Sequence, residues 1–285
     1  MAPSRGGGGD VSDGRPIGVF DSGVGGLTVA RAILDLLPHE PLLYVGDSAR
    51  FPYGPKPVDQ IRRYALEIAD YLVHRGVKMI AVACNSVEVS AIDDITARAD
   101  IPVVGVIEPG ARAAVHATRN GSIGLIGTEA TVASRAYDRA IAATGTDVRL
   151  SSKACPRFVD YVERGDTTSL ALRAAAREYL SPLIGEGIDT LILGCTHYPL
   201  LSGLLQRELG PDVVLVSSAE ETAKDVYATL LDRGLQAEAG TLPAHEFLTT
   251  GDPEAFERVA GIFLGPELHE VGAAQAQPVG GGSWS

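Results

Sequence analysis

Two cysteines stand out because each ends a short apolar run and is followed by small polar residues. Cys84 precedes Asn85, and Cys195 precedes Thr196. In an α/β protein, strand ends of this kind line the ligand crevice. Two thiols brought to one crevice can serve as acid and base on opposite faces of a substrate. The pattern favours an enzyme that inverts a carbon centre without a cofactor.

The third cysteine, Cys155, precedes Pro156 and lacks the strand-end context, so it is predicted to be structural. An odd number of cysteines argues against a disulfide framework. Neither Cys-x-x-Cys nor His-x-x-x-His occurs in the sequence, and we therefore expect no metal site.

Length and composition predict one large or two small cores. The chain has 285 residues, of which 45% are hydrophobic, and no apolar run approaches the ~20 residues that span a bilayer. The first residues lack the apolar core of a signal peptide, so we expect a cytoplasmic protein without membrane contact. A net charge of −12 offers no general attraction to nucleic acid, and no direct nucleic-acid binding is expected.

Apolar strands alternate with helices along the chain, which predicts parallel sheets covered by helices on both faces. The strands are predicted at 16–20, 42–46, 78–83, 102–106, 122–127, 148–151, 190–193, 213–216 and 245–249. The helices are predicted at 24–37, 57–75, from about 87, 130–143, 168–184, 219–232 and 253–263.

The two halves of the chain show a weak repeat. In each half an Ile-Gly-rich strand, at 17–20 or 123–126, precedes a later strand that ends in a cysteine. The sequence thus predicts an α/β fold of two similar domains with the active site in the crevice between them. Residues 1–14 and 267–285 are rich in small and polar residues and are predicted to be flexible tails.

A glycine-rich segment follows the first strand. Gly23, Gly25 and Gly26 suggest a phosphate loop, but Thr28 stands where the last glycine of Gly-x-Gly-x-x-Gly belongs, and no Gly-Lys-Ser/Thr follows. A tight turn near a small carboxylate is the better explanation for these glycines.

Six segments, in this order, resemble the glutamate racemase family, whose members make D-glutamate for bacterial peptidoglycan. The segments are 18–28, 44–54, 83–86, 106–110, 155–159 and 193–200. The resemblance implies no cofactor and no metal, glutamate as substrate, and a homodimer. It also implies that a second domain (107–212) is inserted in the first (15–106 with 213–266).

The resemblance also implies residue roles. Cys84 would act on D-glutamate with help from Asp21, and Cys195 on L-glutamate with help from His197 and Glu163. The substrate-binding residues implied are Asp21, Ser22, Tyr53, Gly54, Asn85, Ser86, Thr196 and His197.

Several of these residues also have purely structural explanations. Asp21 at a strand–helix junction suits a helix N-cap, Glu163 suits a solvated carboxylate, and Tyr53 suits a packed loop aromatic. Ser86 departs from the threonine usual in the family but keeps the hydroxyl. Glu88 stands where small residues are usual, and it would oppose a thiolate at Cys84 if it lay close to that sulfur.

Two alternative functions remain open at this stage. A related racemase could act on aspartate or another amino acid, because nothing in the sequence measures pocket size. Some family members inhibit DNA gyrase, so a partner-binding protein on the same scaffold, using the tails, is the second alternative.

Overall fold

The computed structural model describes residues 12–240, 242–265 and 270–274. Within these ranges the strands form two parallel sheets with helices packed on them. The strands are β1 (Ile17–Asp21), β2 (Leu42–Gly46), β3 (Met79–Val82), β4 (Val103–Val104), β5 (Ser122–Gly127), β6 (Arg149–Ala154), β7 (Thr190–Gly194), β8 (Val214–Val216), β9 (Glu246–Thr249) and β10 (Val271–Ala273). The predicted fold class is confirmed.

The helices alternate with these strands along most of the chain. They are α1 (Leu27–Leu36), α2 (Val58–His74), α3 (Asn85–Arg98), α4 (Ile107–Ala117), α5 (Glu129–Ser134), α6 (Ala136–Ala143), α7 (Arg157–Glu163), α8 (Leu170–Gly185), α9 (Ser202–Leu209), α10 (Ala219–Arg233) and α11 (Pro253–Leu264). Their apolar residues recur at helical spacing, as in α2, where Ile61, Ala65, Ile68 and Leu72 are buried.

The first sheet has the strand order β10-β9-β2-β1-β3-β4. Its central strand β1 pairs in parallel with β2 and β3, and Ile17 lies opposite both Leu42 and Met79. Every residue of β1 is buried, as expected for a strand covered on both faces. Because the strands are parallel, Asp21 and Cys84 emerge at the same edge of the sheet.

The second sheet has the order β6-β5-β7-β8. β5 and β7 are its inner strands, and Gly127 pairs with Gly194 at their carboxyl ends. Thr128 and Cys195 follow these two residues directly, so both lie at the carboxyl edge of the second sheet.

The carboxyl edges of the two sheets meet. The Thr196 hydroxyl, from the second sheet, donates to Asp21 Oδ1 of the first at 3.3 Å. Gly25 lies at this junction, and a Cβ on it would approach Thr196 Oγ1 and His197 Nδ1 to within 2.5 Å. The glycine segment therefore allows two chain segments to pack closely, and Gly25 is required for space rather than for its backbone angles.

The predicted domain limits remain a prediction, and the pairing of two strands bears on where those limits lie. β8 pairs with β7 in the second sheet, so the chain returns to the first sheet after Val216 and not near 212. β10 pairs with β9 in the first sheet, although it lies inside the segment predicted to be a flexible tail. The rest of both predicted tails, 1–11 and most of 267–285, lies outside the described residues.

Helix limits differ from the predictions in places that affect the site. α3 begins at Asn85 and not near 87, which makes Cys84 its N-cap residue. The helix predicted at 130–143 is divided into α5 and α6 at Arg135, whose φ of 55° lies in the left-handed region. Along the described ranges, no helix is both long and apolar enough to span a membrane.

Candidate active site

A cavity of about 290 Å³ lies between the carboxyl edges of the two sheets. Of the eleven residues predicted for the site, nine line it; they are Ser22, Tyr53, Gly54, Cys84, Asn85, Ser86, Cys195, Thr196 and His197. The other two, Asp21 and Glu163, lie directly behind the wall and are bonded to Thr196 and His197. The tertiary structure thus gathers the whole predicted set.

Cys84 is the N-cap of α3, a position where helix amide groups are exposed. Its thiol lies 3.7 Å from the Ser22 hydroxyl oxygen, to which it donates. Burial and the nearby Asp21 carboxylate nevertheless raise the pKa of Cys84, outweighing the Val87 amide and Ser22, which lower it. The amides at the start of α3 thus produce no net lowering of this pKa, because the sulfur is buried and lies near a negative group.

Asp21 is fully buried between the two sheets. One carboxylate oxygen accepts from the Gly23 amide at 3.0 Å, and the other accepts from Thr196. Burial raises the pKa of Asp21, while the His197 charge and these hydrogen bonds oppose the rise. Asp21 therefore joins the turn after β1 to the strand end that carries Cys195.

Cys195 has a different set of neighbours. Its sulfur lies 3.7 Å from His197 Nδ1, and the opposite ring nitrogen, Nε2, lies 2.6 Å from Glu163 Oε1. Burial alone would lower the pKa of His197, but its hydrogen bonds to Cys195 and Glu163 raise it well above the ordinary value. An imidazolium beside the sulfur stabilises a thiolate at Cys195. Phe51 packs against the ring, with centroids 5.7 Å apart, and shields the pair from water.

Tyr53 and Gly54 belong to a loop that covers the cavity. The Tyr53 hydroxyl donates to the buried Asp47 carboxylate, which also accepts from Arg50 and from the Thr250 hydroxyl. Tyr53 consequently contributes its ring and backbone to the cavity wall, since its hydroxyl is already bonded.

The start of α3 supplies polar groups from the opposite wall. Ser86 Oγ lies 2.9 Å from Thr128 Oγ1, and Asn85 Oδ1 accepts from the Tyr137 hydroxyl at 2.8 Å. Thr128 lines the cavity and was not predicted. It follows the end of β5 as Cys84 follows β3, so the strand-end rule could have identified it.

Glu88 turns away from Cys84. Its carboxylate accepts from the amides of Val106 and Ile107 at 2.5 and 3.0 Å and so caps the first turn of α4. Glu88 is absent from the cavity wall and from the groups that shift the pKa of Cys84. The predicted opposition to a Cys84 thiolate is therefore not seen.

The strand-end cysteines, the cavity that they share and the cross-sheet contacts define an α/β enzyme with a paired-thiol site. Among the described residues no group of three or more His, Cys, Asp or Glu side chains is arranged to hold a metal ion. The family model described as Asp/Glu/Hydantoin racemase matches residues 18–226. The chain belongs to this racemase family and is an isomerase.

Individual relatives within this family are glutamate racemases, which confirms the resemblance found in the sequence. The chain is 57% identical over 257 residues to the glutamate racemase of Acidothermus cellulolyticus, covering 90% of this chain and 97% of that one. The structure matches glutamate racemase isoform RacE1 from Bacillus anthracis with a TM-score of 0.85 at 42% identity, covering 91% and 96% of the two chains.

Two further solved structures match the chain at very different levels of sequence identity. Glutamate racemase from Francisella tularensis, solved with D-glutamate, matches with a TM-score of 0.86 at 34% identity, covering 93% of this chain and 98% of that one. The aspartate racemase of Picrophilus torridus matches with a TM-score of 0.52 at 17% identity, covering 79% and 96%. The second likeness shows a shared fold alone.

Proposed function

We propose that the protein interconverts L- and D-glutamate by proton transfer between two thiols, without a cofactor. The observation that carries this proposal is that Cys84 and Cys195, which lie at strand ends of different sheets, line one cavity. We take glutamate as the substrate because the chain is similar to proteins named glutamate racemase, one of which was solved with D-glutamate.

In the L-to-D direction, the Cys195 thiolate removes the α-proton and the Cys84 thiol gives its proton to the opposite face of the carbanion. In the D-to-L direction the two roles are exchanged. Each turnover requires one thiolate and one thiol, since two thiols offer no base and two thiolates offer no acid.

The neighbouring groups suit these roles. The imidazolium of His197, held by Glu163, stabilises the Cys195 thiolate. Asp21 lies on the Cys84 side, where its charge and the burial of the sulfur keep Cys84 as the proton-bearing partner. These assignments follow the roles expected from the family resemblance.

Polar groups around the cavity suit the two carboxylates and the ammonium of glutamate. Asn85, Ser86 and Thr196 present amide and hydroxyl groups that can donate to carboxylates. Ser22 and the backbone of Tyr53 and Gly54 complete the wall. Closure of the cavity would exclude water and so protect the carbanion from unproductive protonation.

The test is the circular dichroism of L-glutamate with purified protein and no added cofactor. The expected signal decays to zero. A flat signal with L-glutamate that decays with L-aspartate would instead support the aspartate alternative, and a flat signal with both would remove the racemase proposal.

We further propose a cytoplasmic homodimer that supplies D-glutamate for peptidoglycan, as the family resemblance implies. Light scattering would test the dimer, and growth of a D-glutamate-requiring bacterium carrying this gene would test the supply. The gyrase alternative would depend on the tails, most of which lie outside the described residues, and no observed feature favours it.

A further inference from the structure

Asn85 has an unusual pattern of hydrogen bonding for a buried amide. Its Oδ1 atom accepts from the Tyr137 hydroxyl at 2.8 Å, while Nδ2 is buried and has no partner within the part of the chain that the structure describes. Asn85 lines the cavity beside Cys84. An unpaired buried donor is costly, so an amide left in this state at a cavity wall indicates an intended acceptor.

Tyr137 binds the oxygen of this carboxamide and not its NH₂ group. It lies on α6, its side chain is fully buried, and burial raises the pKa of its hydroxyl well above the ordinary value, so it is a neutral phenol. In the structure the phenol donates its hydrogen to Oδ1, and the Nδ2 atom of the same carboxamide is left without a partner among the described residues.

Tyr137 also connects the two halves of the site. Asn85 belongs to the helix that follows β3 of the first sheet, whereas the Tyr137 ring packs near Gly194 at the end of β7. A Cβ on Gly194 would lie 3.4 Å from the ring. Since Cys195 follows Gly194, one side chain bonds to the residue after Cys84 and lies beside the residue before Cys195.

We propose that Tyr137 is a positioning residue for substrate binding. Its hydroxyl holds the Asn85 carboxamide with the NH₂ group directed at a substrate carboxylate, and its ring fixes this donor relative to the strand end of Cys195. The inference rests on the proposed function, because it assumes a substrate with a carboxylate in the cavity.

Without the phenol hydroxyl, the carboxamide can rotate and present its oxygen to the carboxylate, which repels it. An interaction made equally in the ground state and the transition state changes KM more than kcat. The variant Tyr137→Phe should therefore raise KM for glutamate roughly fivefold to tenfold, with a smaller change in kcat, as expected for one hydrogen bond.

A double-mutant cycle with Asn85→Ala tests whether the hydroxyl acts through the amide. If it does, adding Tyr137→Phe to Asn85→Ala produces no further rise in KM. A rise as large as that in the wild-type background would overturn the proposal, and so would an unchanged KM in the single variant Tyr137→Phe.

A matched control removes another tyrosine hydroxyl from the same half of the molecule. Tyr179 accepts from Arg157 Nε at 2.9 Å, away from the cavity, and Tyr179→Phe is expected to keep the wild-type KM. A lowered melting temperature in Tyr137→Phe with KM unchanged would assign the hydroxyl to stability alone and reject the positioning role.

Wild-type activity separates this inference from the function on which it rests. A wild-type protein that fails to racemise glutamate would defeat both. An active wild type with an unaffected Tyr137→Phe variant would defeat the inference alone.

Discussion

The two cysteines of the cavity are matched in burial and differ in their surroundings. Cys84 and Cys195 are 6% and 7% exposed and both follow an inner strand of a parallel sheet. Cys84 faces a carboxylate, a serine hydroxyl and a helix amide, whereas Cys195 faces an imidazole backed by a carboxylate. Two similar backbone positions thus receive opposite electrostatic environments.

The difference shows how one site can hold an acid and a base of the same residue type. Burial raises the pKa of a thiol, and the charge on Asp21 adds to that rise at Cys84. At Cys195 the neighbouring group is His197, whose own pKa is raised by its hydrogen bonds to Cys195 and Glu163. In the proposed mechanism this difference makes Cys195 the first base toward L-glutamate.

The largest expected effect is the loss of either thiol. Cys84→Ala and Cys195→Ala should each reduce racemisation about 10³-fold, because each removes one of two proton-transfer groups. Circular dichroism of glutamate measures the loss. Cys155→Ala is the matched control, since Cys155 is buried but does not line the cavity. Near-normal activity in either active-site variant would refute the proposal that both thiols transfer protons.

Removal of the His197 imidazole should cause the second largest loss of activity. His197→Asn should lower kcat about 10²-fold, because the Cys195 thiolate loses its cation. Enantiomers have equal free energy, so kcat/KM must remain equal in the two directions. The different surroundings of Cys84 and Cys195 must then appear in the separate kcat and KM values for the two enantiomers. In His197→Asn we expect the larger fall in kcat with L-glutamate. His116→Asn, at an exposed position outside the cavity, is the control.

His197 should also affect how stability depends on pH. Its folded pKa lies above the ordinary 6.5, so its contribution to stability is fully present below pH 6.5 and is lost as the pH rises through the folded value. The melting temperature of His197→Asn should approach that of the wild type on the alkaline side. A constant difference across the pH range would contradict the assignment of the imidazolium.

Alkylation compares the two sulfurs directly. Because their exposures match, the rate of reaction with iodoacetamide at neutral pH should report the thiolate fraction, and Cys195 should react at least about tenfold faster than Cys84. Mass spectrometry of the partly modified protein gives the order. Equal rates, or faster reaction at Cys84, would show that the environments do not separate the two thiols.

A smaller effect on kcat is expected for substitution of Glu163, which binds the far nitrogen of the His197 ring. Glu163→Gln keeps an oxygen that can accept from His197 Nε2 but removes the negative charge, so kcat should fall about fivefold. Glu178→Gln removes a carboxylate that pairs with Arg157 at the surface and provides the comparison. A loss as large as that of His197→Asn would mean that Glu163 does more than support the ring.

The smallest effect on catalysis is expected at Glu88, on the helix of Cys84. Burial raises the pKa of Glu88 to about 7, above its ordinary 4.5, so the folded protein loses stability as the pH rises through this window. Glu88→Gln should therefore gain about 2 kcal/mol relative to the wild type between pH 5 and pH 8, with kcat unchanged. Urea unfolding at both pH values measures this gain.

Much of the fold could be predicted from local patterns. The predicted strand 122–127 matches β5 residue for residue, and both cysteines lie where their strands end. The helices α4, α7 and α9 were not predicted, because short helices depend on packing more than on their own periodicity. β10 was not predicted either, because it lies in a segment rich in small residues and forms a strand by pairing with β9.

The candidate site could be predicted as a set of residues but not as a geometry. The contact between Asp21 and Thr196 spans 175 residues of sequence, and that between Asn85 and Tyr137 spans 52. Tyr137 carried no local signal of function, because its importance comes from a partner that is distant in the chain. Thr128 did carry one, since it directly follows the end of β5.

The sequence by itself determined the alternation of strands and helices, the two strand-end thiols and the family, since these depend on periodicity and on residue types in a fixed order. The tertiary structure alone decided that Cys84 is buried beside a carboxylate while Cys195 is paired with His197. It also directed Glu88 to α4 and left the Asn85 NH₂ group buried without a partner in the described part of the chain. The reason is physical: burial and charge act through space, and the groups that set them come together only when the two sheets meet.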